Sequence, residues 1–311
     1  MNEAPTISLI VHTRNSAARL PPLLATTSWI GDRVLIDMSS TDGTQALAAG
    51  AGFRVVTIPA SDDVDAIRND HLDQAREEWV LVLDSDESLS ADAQTEIGRL
   101  IAVHGADCDA FAIPRFNMIA GQIMRASGWY PDHQVRLFRK GTVAWSGGHH
   151  RPPRVLTGDH RLFRLDPPDC LHIHHDNYDS LADFVERQTR YLLTDRYDHA
   201  FDFNDYLAAA HRELVMRHDV KADGDLSTAL ALLMAWDRIV RGIVHWEKSG
   251  RSAPLDLSLA VPFVVEVAPS TLETSLGRAY RALRTFYRHP LKLPRSLLRE
   301  RLRRRKLRSG S

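Results

Sequence analysis

The sequence predicts an α/β protein with a mostly parallel central sheet, followed by a helical C-terminal region. Two observations carry this. The first hundred residues alternate short apolar, β-branched runs with stretches of helical periodicity, the mark of βαβ units. From Tyr178 to about His245, Leu, Phe, Tyr and Met recur at helical spacing.

The elements follow in order. Ile7–His12 reads as a first strand, and Ser16–Ser28 as a helix whose start is blurred by Pro21 and Pro22. Arg33–Asp37 is a second strand, and Thr44–Gly50 a helix that stops on glycine. Phe53–Ile58 is a third strand, Asp65–Ala75 a helix and Trp79–Leu83 a fourth strand. Ser90–His104 is a helix opened by Ser-Ala-Asp-Ala, a plausible cap and first turn. Phe111–Arg115, Gln134–Phe138 and Thr142–Trp145 are shorter candidate strands between Gly- and Pro-rich links. Leu255–Val267, broken by Pro262 and Glu266, reads as buried core or an interfacial segment, and Ser270–Arg308 as an interrupted helix. The expected divisions are residues 1–176, 177–290 and a tail over 291–311. No internal repeat is visible.

Composition excludes several classes. The 311 residues are 44% hydrophobic and 25% charged, which suits a globular chain and not a disordered one. Cys108 and Cys170 are the only cysteines, too few for a disulfide scaffold or a Cys-rich zinc module. Met1–Thr6 is polar and Ile7–Val11 too short for a signal peptide, and no run approaches a membrane span, so the expected place is the cytoplasm. The net charge of −1 hides an asymmetry: Tyr280–Ser311 holds 12 Lys/Arg and one acid, leaving 27 basic and 39 acidic residues in 1–279, a net of −12. A basic tail with Leu297, Leu298, Leu302 and Leu307 fits contact with an anionic membrane surface through Arg295–Arg308, or a solvated tail. No nucleic-acid module accompanies it.

In parallel sheets ligands sit beyond the carboxyl ends of the strands, so the chemistry should follow each strand. Asp84-Ser85-Asp86-Glu87 follows the fourth strand, and two carboxylates at i and i+2 can share a hard cation. The same residues fit an acidic turn. Asp37 ends the second strand and can accept hydrogen bonds from a base or ribose, while Ser40–Asp42 can cap the next helix. Arg68 lies at a helix start, where it reaches a base, a phosphate or only solvent. His12-Thr13-Arg14-Asn15 follows the first strand.

In this order, Thr13-Arg14-Asn15, Asp37 to Thr44, Ala66-Ile67-Arg68-Asn69 and Asp84-Ser85-Asp86 resemble the nucleotide-sugar half of a family 2 glycosyltransferase. The segment Tyr130-Pro131-Asp132-His133-Gln134-Val135-Arg136-Leu137-Phe138-Arg139 looks like that of a branch including lipopolysaccharide-core glucosyltransferase-like enzymes. That branch continues with Val-His-Glu, where this chain has Gly148-His149-His150, so a histidine replaces the glutamate. The resemblance implies a GT-A fold and inverting transfer from a nucleoside-diphosphate sugar, a UDP-sugar first, to a glycan or lipid-linked acceptor of the cell envelope, at the inner face of the membrane. It implies that Asp37 and Arg68 hold the nucleobase with Thr13 and Asn15 beside them. It implies that Asp84 touches the ribose, and that Asp86, with Asp84, holds the Mg²⁺ or Mn²⁺ that bridges the diphosphate.

An inverting displacement also needs a base for the acceptor hydroxyl. Asp132 is the first candidate, with His150 and His149 as alternatives; Asp132 also reads as a turn residue after Pro131. Arg136 and Arg139 could steady the diphosphate or form surface salt bridges. His149, His150, His172, His174 and His175 are dense enough to raise a zinc site, though core or acceptor-site histidines explain them as well. Two other functions compete: a nucleotide-sugar nucleotidyltransferase, disfavoured because no Gly-rich loop follows the first strand, and a non-catalytic binding protein of the same fold.

Overall fold

The computed structural model describes residues 6–251 except 62, 147–151, 169, 195, 196 and 198. His149, His150, the segment 255–267 and the basic tail lie outside the described residues. The chain divides into two compact units, residues 1–184 and 185–311, and each is described by itself.

In the first unit the elements run β1 (Ile7–Thr13), α1 (Leu20–Thr26), β2 (Asp32–Asp37), α2 (Thr44–Gly50), β3 (Arg54–Thr57) and α3 (Val64–Ile67). A 3-10 turn over Arg68–Gln74 leads to β4 (Trp79–Asp84), β5 (Glu87–Leu89) and α4 (Ala93–His104). Then come β6 (Ala110–Ile119), β7 (Gln122–Ile123), β8 (Asp132–Arg139), β9 (Val143–Ala144), β10 (Arg154–Val155), β11 (Leu162–Arg164) and β12 (Ile173–Tyr178). The main sheet has the order β3-β2-β1-β4-β8-β6-β12-β5, with β7 and β11 also pairing β6. The pairs among β3, β2, β1 and β4 are parallel, while β8 is antiparallel to both β4 and β6. The expected α/β class with a mostly parallel sheet is therefore present.

The central parallel strands β1, β2 and β4 hold runs of consecutive apolar residues because both faces are covered there. Leu9, Val11, Leu35, Leu81 and Leu83 pack toward Leu20, Leu23, Ile97 and Leu100 of α1 and α4. The alternate residues Ile10, Val34, Ile36, Val80 and Val82 pack with Phe138 and Trp145 on the other face. Pro21 and Pro22 sit in the first turn of α1, where their missing N–H groups cost nothing.

Three local expectations are corrected. The helix expected over Asp65–Ala75 is a single α-turn capped by Asp63, followed by 3-10 winding. That tighter segment is held by side chains that leave it: Arg68 reaches Asp84, and Asn69 exchanges bonds of 2.7 and 2.9 Å with the Trp145 backbone. The helix expected from Ser90 starts at Ala93, and Asp92 makes no side-chain cap. Glu87, read as the last residue of an acidic loop or turn, opens the edge strand β5, which is antiparallel to β12.

In the second unit, α5 (Leu181–Thr194) leads into it from the first, and α6 (Phe203–Arg217) packs on α7 (Val220–Lys248) through Ala210, Leu214, Ala231 and Ala235. This is the expected helical region. No helix among the described residues is long and apolar enough to cross a membrane.

Candidate active site

Because β2, β1 and β4 are parallel neighbours, their carboxyl ends lie side by side: Thr13 is level with Asp37, and His12 with Asp84. The loops after β1 and β2 are laced together. Asn15 and Ser39 adopt left-handed backbone at φ 50° and 55°. The Asn15 N–H donates to Ser40 Oγ at 2.8 Å, and its Oδ1 accepts the Thr41 N–H at 2.8 Å. Asp42 accepts the Ala17 N–H at 3.0 Å and the Thr44 N–H at 3.1 Å.

Behind this rim Asp37 is fully buried. Its Oδ2 accepts from the Ser40 N–H at 2.9 Å and from Gln45 at 2.6 Å. Asp37 Oδ1, Thr13 Oγ1 and Arg68 Nη1 are buried without a partner among the described residues. Buried polar atoms are rarely left so, and these three supply an acceptor, a hydroxyl and a guanidinium N–H to whatever polar group meets them. His12, level with them, is held neutral: burial, then the Arg68 charge, pushes its pKa down to about 3.

Below the rim a chain of seven charged side chains crosses the sheet. Arg68 Nε donates to Asp65 at 2.9 Å, and its Nη2 donates to Asp84 Oδ1. Arg136 Nη2 donates to Asp84 Oδ2 and, at 2.8 Å, to Glu87 Oε1. Arg115 donates to Glu87 Oε1 at 2.7 Å and to Asp132 Oδ2 at 2.6 and 2.9 Å. Asp132 also accepts from Asn117 at 3.1 Å and Gln134 at 2.7 Å. The guanidinium groups and carboxylates alternate, so each charge is taken from water in company.

The ionisation states follow. Burial opposes ionisation of Asp84, but Arg136 and then Arg68 outweigh it and hold the carboxyl well below the usual range. Burial likewise opposes Asp132, and Arg115, helped by Asn117 and Gln134, wins. Asp86 is lowered against burial by His175, whose Nε2 lies 3.6 Å from Asp86 Oδ2 and whose Nδ1 meets Asn117 Oδ1 at 2.7 Å.

Thr13, Asn15, Asp37, Arg68, Asp84, Asp86, Asp132 and Arg136 thus fall at one end of the sheet. Arg139 does not. Because β8 runs antiparallel to β4, it pairs with Trp79 at the opposite end, stacks over that ring at 4.7 Å and donates to the Gly105 carbonyl. Arg136 lies beneath Asp84, 6% exposed, so the geometry makes it a support for that carboxylate. Of the described histidines, His172 donates from Nδ1 to the Cys170 carbonyl, meets the Tyr130 hydroxyl at Nε2 and stacks on Phe116, while His175 turns toward Asp86. Among the described residues no three His, Cys, Asp or Glu are arranged to hold a metal. Sequence reasoning passed over Arg115 and Asn117, named Glu87 without a role of its own, and counted His175 only among the clustered histidines. Glu87 adjoins the Asp-Ser-Asp element, which was the available signal.

A divalent cation still fits. Each oxygen of Asp84 takes an arginine and keeps only part of its acceptor capacity, so Asp86 is the first carboxylate for it, with Asp84 beside it. Mg²⁺-type ions are commonly held by one or two carboxylates, with phosphate oxygens and water completing the shell.

Residues 8–153 match the model of the family described as glycosyl transferase family 2. The match supports a family 2 glycosyltransferase domain. The chain is 33% identical over 118 residues to a TPR repeat-containing protein of Synechococcus elongatus, covering 38% of this chain and 29% of that one. It is 33% identical over 102 residues to an uncharacterized glycosyltransferase of Rickettsia felis, covering 32% and 36%. The chain therefore spans about a third of the length of these relatives. Among solved structures, S. aureus TarS 1–349 in complex with UDP-GlcNAc is 16% identical, covers 92% of each chain and superposes with a TM-score of 0.45. Glucosyl-3-phosphoglycerate synthase from Mycobacterium tuberculosis, with Mn²⁺, UDP and glucosyl-3-phosphoglycerate, is 20% identical over 37% of this chain and 44% of that one, with a TM-score of 0.30.

Proposed function

We propose that this chain transfers a sugar from a nucleoside-diphosphate sugar, a UDP-sugar first among them, to a hydroxyl of a cell-envelope or lipid-linked glycan, with inversion. The observation that carries the reading is the run of paired carboxylates and guanidinium groups from Arg68 to Asp132 beside the unpartnered atoms of Thr13, Asp37 and Arg68.

Thr13, Asp37 and Arg68 bind the base through those free atoms. Asp84 keeps acceptor capacity beyond its two arginines, since a carboxylate offers about four lone-pair sites, and receives ribose hydroxyls. Asp86 holds a divalent cation, Mg²⁺ or Mn²⁺, which offsets the charge that grows on the departing diphosphate. Asp132 receives the proton of the acceptor hydroxyl as its oxygen bonds to the anomeric carbon and the bond to the diphosphate breaks. Arg115 keeps Asp132 ionised at neutral pH. The same pairing makes it a weak base, so proton transfer comes late, when the attacking oxygen has become acidic. The basic stretch Arg295–Arg308 meets an anionic membrane surface at the cytoplasmic face, a reading that rests on the charge asymmetry.

Calorimetry with UDP, GDP, CDP and dTDP, each with and without Mn²⁺, tests the donor site on wild type and Asp86→Ala. Metal-dependent binding of one diphosphate, abolished by the substitution, is the expected result. No binding to any of them sinks the reading. Donor binding without sugar transfer to any glycan acceptor would favour a non-catalytic binding protein. Co-flotation with anionic but not neutral vesicles tests the membrane contact.

A further inference from the structure

Glu87 is removed from water, with a side chain 0% exposed. Its two oxygens have separate duties. Oε2 accepts the backbone N–H of Asp84 at 2.9 Å. Oε1 accepts from Arg136 at 2.8 Å and from Arg115 at 2.7 Å. Arg136 leads to Asp84 and the donor end of the site, and Arg115 leads to Asp132 and the acceptor end. Along the chain Asp65, Asp84, Glu87 and Asp132 alternate with Arg68, Arg136 and Arg115, so every guanidinium stands between two carboxylates.

We propose that Glu87 is a positioning residue that ties the donor end of the site to the acceptor end through Arg136 and Arg115. The inference rests on the glycosyltransferase reading. The physical ground is that both oxygens of Glu87 face only donors. A glutamine has one acceptor and one NH₂ group. Whichever way its amide turns, the NH₂ points at a donor: the Asp84 N–H in one orientation, the two guanidinium groups in the other. Glu87→Gln also leaves Arg136 and Arg115 without the buried carboxylate they share. Arg136 then loses its second anchor below Asp84, and Arg115 loses the one that keeps it square to Asp132.

The consequence is a double effect that neighbouring substitutions split. Asp84→Asn should weaken nucleotide binding. Arg115→Gln, which leaves Asp84 and Arg136 paired, should change nucleotide affinity by less than about threefold while lowering turnover on the order of thirtyfold, as loss of general-base positioning does. Glu87→Gln should do both, weakening nucleotide binding on the order of tenfold and lowering turnover on the order of thirtyfold or more. Glu87→Asp keeps the charge and both acceptors on a shorter stem and should recover part of each.

The experiment measures UDP binding with Mn²⁺ by calorimetry and UDP release from UDP-glucose, on the full chain, at a temperature well below each variant's Tm. Wild-type affinity and turnover per folded molecule in Glu87→Gln would overturn the inference, because a merely structural glutamate lowers Tm and nothing else. If Glu87→Gln cannot be purified, the cycle of Arg115→Gln, Arg136→Gln and their double variant decides. Non-additive losses in turnover support the link through Glu87, and additive losses overturn it. Wild type that binds no nucleoside diphosphate refutes the glycosyltransferase reading itself, and the inference falls with it. A wild type that binds and turns over while Glu87→Gln is silent refutes Glu87 alone.

Discussion

Arg136→Met removes the guanidinium that joins Asp84 to Glu87 while keeping most of the aliphatic stem. Removing one partner of a buried ion pair costs about 3–5 kcal/mol. Here the loss is cushioned. Asp84 is 30% exposed and keeps Arg68; Glu87 keeps Arg115 and the Asp84 N–H. A loss below that range, about 2–3 kcal/mol, is therefore expected. For a unit of this size each kcal/mol moves Tm by about 2–4 °C, so the shift should be roughly 4–12 °C at pH 7.5. The pH dependence has a definite sign. The folded-state pKa of Asp84 is depressed, so its contribution is present above the unfolded carboxylate value and is lost as pH falls through the folded one. The variant has less depression to lose. Wild-type and variant melting curves, followed by circular dichroism, should converge as the solution is acidified below about pH 5. A variant within 1 °C of wild type at pH 7.5, or a gap that widens in acid, would refute the reasoning.

Three further outcomes are expected. Because Asp132 is held low by Arg115, turnover of the wild type should show no acid limb above about pH 5, and Arg115→Gln, which lets burial dominate, should move that limb upward in a pH–rate profile. In Gly242→Ala the added methyl would sit 2.8 Å from ring atoms of both Phe203 and Tyr206; overpacking at about 1–3 kcal/mol outweighs the helix-propensity gain of up to about 1 kcal/mol, so urea unfolding should show a net loss of about 1 kcal/mol or more. Burial pushes the Cys108 thiol up, and the residue is 8% exposed, so mass spectrometry after brief iodoacetamide treatment at pH 7.5 should find it unlabelled in the native chain and labelled in urea.

The order of strands and helices was legible because the central parallel strands hold apolar residues on both faces, so runs such as Ile7–Val11 stand out with no partner known. The site was legible in part for the same reason: a residue that follows a buried strand must lie at the sheet's end. Arg139 was left between a diphosphate contact and a surface salt bridge, and it forms the salt bridge, with Glu78, because direction along an antiparallel strand is invisible until the partner is known. The role of Glu87 was missed because it lies in its partners, and Arg115 and Arg136 are 28 and 49 residues away. The winding of Arg68–Gln74 was misread because bonds to Asp84 and Trp145, not local propensity, hold that segment.

The lacing of the first two loops has a thermodynamic consequence. Asn15, Ser40, Thr41 and Asp42 already satisfy one another, so this wall is built before a nucleotide arrives. Ordering a free side chain on binding costs about 0.5–1.5 kcal/mol each, and the wall is spared that loss. Substitutions that cut the lacing should therefore weaken every donor alike, as an entropic penalty without a change of preference. Selectivity among bases can be retuned elsewhere, at Gln45, whose amide holds Asp37 from the α2 side at 2.6 Å and stands outside the lacing. A library built at that position would explore donor choice without loosening the pocket.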